Sequence, residues 1–181
     1  MSKVQKMHTK VGSQEYIVES DDNYLNHISG EFEPETVQLL KCLAKKSKSI
    51  LDIGANIGMT SLLFSELSEK VYAFEPSPTT FKFLKNNLEN NNILNVTPLN
   101  FGLGNDSKKF NLTFAPSNRS GAFISNKLTA SAGHTIETIQ IKRLDDTVND
   151  LNISNIDFIK IDVEGFEMEV LSGGGSDAFK K

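Results

Sequence analysis

Apolar residues in this chain recur with two spacings that alternate along its length. Residues 14–18 (QEYIV) predict a short strand. Pro34 then opens a predicted helix, with Val37, Leu40, Leu43 and Ala44 on one face. Ser49 to Ile53 is an apolar run of buried-strand length, and Leu62, Leu63, Phe64 and Leu67 return to helical spacing. Val71 to Glu75 (VYAFE) predicts a second strand, and Pro76-Ser77-Pro78 starts a helix carrying Phe81, Leu84 and Leu88. Asn95 to Phe101 predicts a third strand, closed by a turn at Gly102-Leu-Gly-Asn105.

Residues 49–101 thus alternate strand, helix, strand, helix, strand. That order predicts an α/β fold with a doubly wound, mostly parallel sheet and right-handed crossovers. From 106 to 142 the period changes to two: Phe110, Leu112 and Phe114 alternate with polar residues, as do Ile139 and Ile141. This predicts an antiparallel insertion, with polar loops at Pro116–Ala122 and Thr129–His134. A short helix over Leu144–Leu151 and a buried strand over Ile156–Val163 follow. A turn at Glu164-Gly165 then leads into a last helix through Leu171. The expected organisation is an N-terminal extension and helix (1–48), a core with its insertion (49–174) and a tail (175–181).

Composition narrows the class. With 181 residues the chain has the size of one domain, and 38% hydrophobic and 23% charged residues fit a globular protein. A formal charge of −4 argues against nucleic acid as a partner. The lysines at 41, 45, 46 and 48 are expected to serve a helix C-terminus and solvent. Cys42 is the single cysteine, which excludes an intrachain disulfide and a thiolate zinc site; it is expected in the core. There is no run of eighteen apolar residues and no signal-like segment, so no membrane insertion and a cytoplasmic location are expected.

The candidate chemistry lies in Ser49-Ile-Leu-Asp-Ile-Gly-Ala-Asn-Ile-Gly-Met-Thr-Ser61. In a doubly wound sheet the loop after the first strand is where ligands bind. A dinucleotide fingerprint would place glycines at 54, 56 and 59, but the chain has Gly54, Asn56 and Met59. Asp52 at the strand end repels phosphate and suits a cation. Glu75 ends the next strand, 23 residues later, where an acid holds ribose hydroxyls. A ribose with a nearby positive charge and no phosphate describes S-adenosylmethionine. Its carboxylate would meet backbone amides near Gly58 to Ser61. Each residue also has an ordinary explanation: Gly54 a tight turn, Asp52 a buried cap, Glu75 an acid before the helix after Pro76.

The segments LDIGANIG, YAFEPSP and DFIKIDVEGFEMEVLSG resemble the FkbM-type family of class I S-adenosylmethionine-dependent methyltransferases, as do GEFEPETVQLL and KRLDDTV. The resemblance spans roughly residues 28 to 174 and implies a Rossmann-like fold. It implies a cofactor loop of Asp52, Gly54, Asn56 and Gly58, with Glu75 on the ribose and Asn100 and Phe101 beside the adenine. It also implies O-methylation of a hydroxyl on a sugar, glycan precursor or secondary metabolite. Phe158, Lys160 and Asp162 share one face of the last strand, which puts Asp162 at its carboxyl end. Asp162 is the expected group to orient or deprotonate the acceptor, with Glu164 next. Lys160 is expected to pair with Asp162, His134 to be solvated, and no metal is expected. Asn118, Arg119 and Ser120 in the insertion are candidates for acceptor recognition.

The pattern departs from the family at the end, where only Glu164 to Lys181 follow the last strand and the usual C-terminal strands are missing. FIKIDV is then an exposed edge. Three explanations stand: a C-terminal truncation, cover by a partner chain such as a second copy, or cover by the N-terminal strand. The rival functions are a non-catalytic or partner-dependent remnant and, on the same strand-loop-helix-strand-acid layout, a nicotinamide-dependent oxidoreductase.

Overall fold

The computed structural model describes residues 3–125 and 133–175. The chain opens with an antiparallel hairpin, β1 (Gln5–Val11) and β2 (Gln14–Ser20), turned by Gly12-Ser13. Only β2 was legible in the pattern, because β1 buries little beyond Thr9 and Val11. A 3-10 turn at Tyr24–His27 leads to α1 (Pro34–Leu43). Its inner face is Val37, Leu40 and Ala44, but Leu43 points outward at 60% exposure. Cys42 is also exposed, contrary to expectation, because it lies on the same outer side of α1 as Leu39 and Leu43.

The central sheet is β3 (Ser47–Ile53), β4 (Ser68–Phe74), β5 (Val96–Leu99) and β10 (Ile156–Ile161), in the order β10-β3-β4-β5 and parallel throughout. The crossovers are α2 (Met59–Leu67) and α3 (Pro78–Asn90), the latter capped by Ser77 Oγ, which accepts from the Thr80 amide at 3.2 Å. Period-2 alternation divides the sheet's residues between two cores. Ile50, Val71 and Ala73 pack with α1, α2, α3 and the hairpin. Leu51, Ile53, Tyr72 and Phe74 pack with α4 (Leu144–Asp150) and α5 (Glu167–Gly173).

The insertion forms a second sheet, ordered β6-β9-β7-β8: β6 (Gly102–Gly104), β7 (Lys108–Ala115), β8 (Asn118–Ser125) and β9 (Thr135–Arg143). The antiparallel β7 and β9 were expected. Two expectations change. Gly102–Gly104 is a strand, held by parallel pairing with β9, and most of the stretch read as a polar loop from Pro116 is β8, paired with β7. Of the Thr129–His134 loop, residues 129–132 lie outside the described residues.

β10 pairs with β3 and forms one end of the central sheet. The N-terminal hairpin does not cover it. The hairpin docks on α3, where Asn87 Oδ1 accepts from the Glu19 amide at 2.7 Å and Asn91 Oδ1 from the Ile17 amide at 2.9 Å.

Candidate functional site

The strand order reverses at β3, which has β4 on one side and β10 on the other. The loop after β3 therefore opens into the crevice between neighbouring crossovers. A cavity of about 490 Å³ lies there, in the range of small-molecule sites. Its floor is the β3–α2 loop. Its sides are the ends of β4 and β10 and the N-terminal segment before and within α1. Its roof is the apolar face of the insertion sheet, including Phe114, Ile139 and Ile141.

Gly54 has φ +79, and both its amide and that of Ala55 donate to the Phe74 carbonyl at 3.0 Å. A Cβ on Gly54 would stand 1.9 Å from the Asp162 carbonyl oxygen, so only glycine lets the loop pass under the end of β10. Asn56 has φ +51; its amide donates to Glu75 Oε2 at 3.0 Å and its Nδ2 to Ser120 Oγ on β8 at 3.2 Å. Gly58, φ +100, caps α2, where a Cβ would meet Leu84 Cδ1 at 2.8 Å.

Glu75 is 7% exposed and lines the cavity, with Oε1 accepting from the Ser77 amide at 2.9 Å. Burial pushes its carboxyl up to about 7. The two amides and Lys160 pull the other way, and Glu137 adds to the rise. Glu137, on β9, accepts from Ser77 Oγ at 2.6 Å and from Thr79 Oγ1, which ties the insertion to the first turn of α3.

Gly54, Asn56, Glu75, Asp162 and Glu164 all line this cavity. Four other candidates stand behind it. Asp52 is fully buried and faces α2, with Oδ2 accepting from Thr60 Oγ1 at 2.8 Å and Ser61 Oγ at 2.6 Å. Gly58 supports the loop from the helix start. Asn100 Nδ2 donates to the Glu75 carbonyl at 2.9 Å, and the Phe101 ring packs edge-on against Phe74 with centroids 5.6 Å apart. Gly102 and Leu103, one to three residues further on, line the cavity instead.

At the end of β10 the turn amides are taken by Glu167, whose Oε1 accepts from Val163 at 3.3 Å and Gly165 at 3.2 Å. Glu164 sits in this turn with φ +50 and an exposed side chain. Asp162 Oδ2 lies 3.8 Å from Lys160 Nζ, the expected pair, but Lys160 is closer to Asp52 Oδ1, at 3.3 Å. His134 is exposed.

Several cavity residues had no clear signal in the sequence. Tyr24 is brought in by the 3-10 turn, and burial pushes its phenol up, with Glu33, Asp162, Asp22 and Asp52 adding to the effect. Arg119, proposed for a loop, is instead a buried residue of β8. It pairs with Asp21 at 2.5 Å and Asp22 at 3.7 Å and lies over the Phe83 ring.

Residues 52–181 match the profile of the Methyltransferase FkbM domain. The chain belongs to this methyltransferase family. That membership sets aside the oxidoreductase alternative. Among relatives, it is 33% identical to "Methyltransferase 1" of Beauveria bassiana, with 68% of this chain and 57% of that protein aligned. It is 32% identical to the "Hexuronic acid methyltransferase AglP" of Haloferax volcanii, over 78% of this chain and 56% of that protein. It is 27% identical to the "2-O-methyltransferase NoeI" of Sinorhizobium fredii, over 76% of this chain and 61% of that protein. The chain thus spans a little over half the length of these relatives. Among the described residues, no helix is long and apolar enough to cross a membrane.

Proposed function

We propose that this chain methylates a hydroxyl group, on a sugar, glycan precursor or secondary metabolite, with S-adenosylmethionine as the methyl donor. The observation that carries the reading is a single cavity joining the buried Glu75 carboxylate to the acids of the Asp162–Glu164 turn. The names of two relatives, a hexuronic acid methyltransferase and a 2-O-methyltransferase, support a sugar-like acceptor.

The donor set fits the cofactor. Each Glu75 oxygen accepts one amide, which leaves each a second lone pair for a ribose hydroxyl. The roof offers apolar surface for an adenine, and the acids around the cavity favour a cation. Glu75 would hold the ribose, and the Gly54–Asn56 loop would approach the amino acid part. The cofactor supplies an electrophilic methyl group. Asp162 then accepts the proton of the attacking hydroxyl, or orients it, and Glu164 assists from the next turn position. Asn56, through Ser120, couples the loop to the sheet that would contact the acceptor.

Calorimetry with S-adenosylhomocysteine tests the cofactor half of this reading. Saturable binding by the folded chain is expected, and its absence at millimolar ligand would overturn the proposal. Transfer of labelled methyl to sugar glycosides tests the other half. Asp162→Asn is expected to slow it about a hundredfold or more with cofactor binding retained. Cofactor binding with no transfer to any hydroxyl acceptor supports the non-catalytic reading instead.

A further inference from the structure

Lys160 is a cation set between three segments of the site. Its Nζ donates to the Gly54 carbonyl at 2.7 Å and lies 3.3 Å from Asp52 Oδ1, and its side chain is 13% exposed at the cavity wall. The sheet register explains the meeting, because Lys160 on β10 stands directly opposite Asp52 on β3. Neighbouring positions on parallel strands point to the same face, here toward α2.

Asp52 depends on this neighbour. Its Oδ2 is satisfied by two hydroxyls, whereas Oδ1 is buried without a hydrogen bond and has the Lys160 ammonium as its ion pair. A fully buried carboxylate is costly unless it is compensated by charge or hydrogen bonds. Asp162 competes weakly, since it is 3.8 Å away with a side chain 69% exposed to water.

We infer that Lys160 is a positioning residue for cofactor binding: its ammonium fixes the Gly54 carbonyl against the buried Asp52, and so sets the loop whose Asn56 amide holds Glu75. The inference rests on the proposed function. It joins the ends of three strands, β10 through Lys160, β3 through Asp52 and Gly54, and β4 through Glu75. The groups acting on Glu75 are Lys160, Glu137 and the amides of Asn56 and Ser77, and of these Lys160 is the cation favouring the ionised carboxylate.

The test is calorimetry with S-adenosylhomocysteine from about pH 6 to about pH 9, on the full chain and on Lys160→Met and Lys160→Arg, with folding checked by circular dichroism. Lys160→Met is expected to bind about tenfold weaker or worse, with the loss of binding on acidification displaced to higher pH. Lys160→Arg is expected to recover the pH midpoint but not the full affinity, because a planar guanidinium cannot reproduce the single-point donor. If Lys160→Met does not fold, the double variant Asp52→Asn/Lys160→Met, which removes both buried charges, is expected to show the same two changes. Binding within about twofold of the unaltered chain at an unshifted pH midpoint would overturn the inference. Absence of binding by the folded unaltered chain overturns the methyltransferase reading and this inference with it, and is told apart because it precedes any substitution.

Discussion

Gly54 lies directly beneath Asp162, so close that the smallest side chain at position 54 would collide with the residue-162 carbonyl. The same backbone contact brings the proposed cofactor loop and the candidate acid–base turn together. Two costs coincide there, a φ of +79 that L side chains avoid and a clash with backbone that has no rotamer to escape into. Gly54→Ala is expected to destabilise the fold by about 3 kcal/mol or more and to abolish cofactor binding. Urea unfolding of the purified variant checks the first effect, and unaltered stability would contradict the packing described.

Glu75 makes stability depend on pH in a definite direction. Its folded-state carboxyl titrates at about 7, above its ordinary value of 4.5. Below the ordinary value it is protonated in both folded and unfolded chains and imposes no penalty. As pH rises through about 7 the buried group must ionise, and the fold loses up to about 3 kcal/mol from this group. Glu75→Gln removes that slope. The difference in unfolding free energy between the two proteins is therefore expected to change between about pH 4.5 and about pH 8, always in the sense that raising pH harms the unaltered chain more. A pH-independent difference would show that Glu75 titrates in the fold at its ordinary value.

Asn87 joins three parts of the molecule. Besides accepting from the Glu19 amide, its Nδ2 donates to the Glu19 carbonyl at 3.2 Å and to the Ile57 carbonyl at 2.9 Å, all out of contact with water. Asn87→Ala leaves three buried backbone groups without this partner and is expected to cost about 3 kcal/mol. Because Ile57 follows Asn56 in the proposed cofactor loop, weaker cofactor binding is expected as well. Chemical denaturation and calorimetry on one preparation measure both.

Arg119 links the insertion to the segment after β2. Its side chain is 4% exposed, and removing it takes the paired cation from Asp21 and from Asp22, itself 3% exposed. Arg119→Ala is expected to lose about 3 kcal/mol, and Arg119→Lys to recover part of that loss at most, since one ammonium cannot reach both aspartates and Ser20 Oγ. Equal stability of the Lys variant and the unaltered chain would mean that the guanidinium fork is not needed.

The parts of the fold that were legible in the sequence are those whose signal is local. β3, β4 and β5 announced themselves as apolar runs, α1 and α3 by Pro34 and by Pro76-Ser77-Pro78, and β7 and β9 by alternation. β6 and β8 did not. Gly102-Leu-Gly104 and Asn118-Arg-Ser-Gly121 have little strand preference of their own; β6 is held extended by β9, far along the chain, and β8 by its hairpin neighbour β7. The outward turn of Leu43 and Cys42 was hidden for a related reason: helical spacing marks a stripe, but packing decides how much of the stripe is covered.

For the candidate site the division is similar. Sequence alone determined the parallel α/β core, the loop at its switch point, the absence of a pyrophosphate pattern and the placing of Glu75 at the end of the next strand. These follow from residue type and spacing within about 25 positions, where strand length and loop geometry leave few choices. Tertiary structure alone decided that Asp52 turns into the protein toward α2 and Lys160, that Gly102 and Leu103 rather than Asn100 and Phe101 line the cavity, and that Arg119 is bound by Asp21 and Asp22. Each of these depends on side chains meeting across strands or between sheets. Such meetings are fixed by register and close packing, which no local pattern encodes.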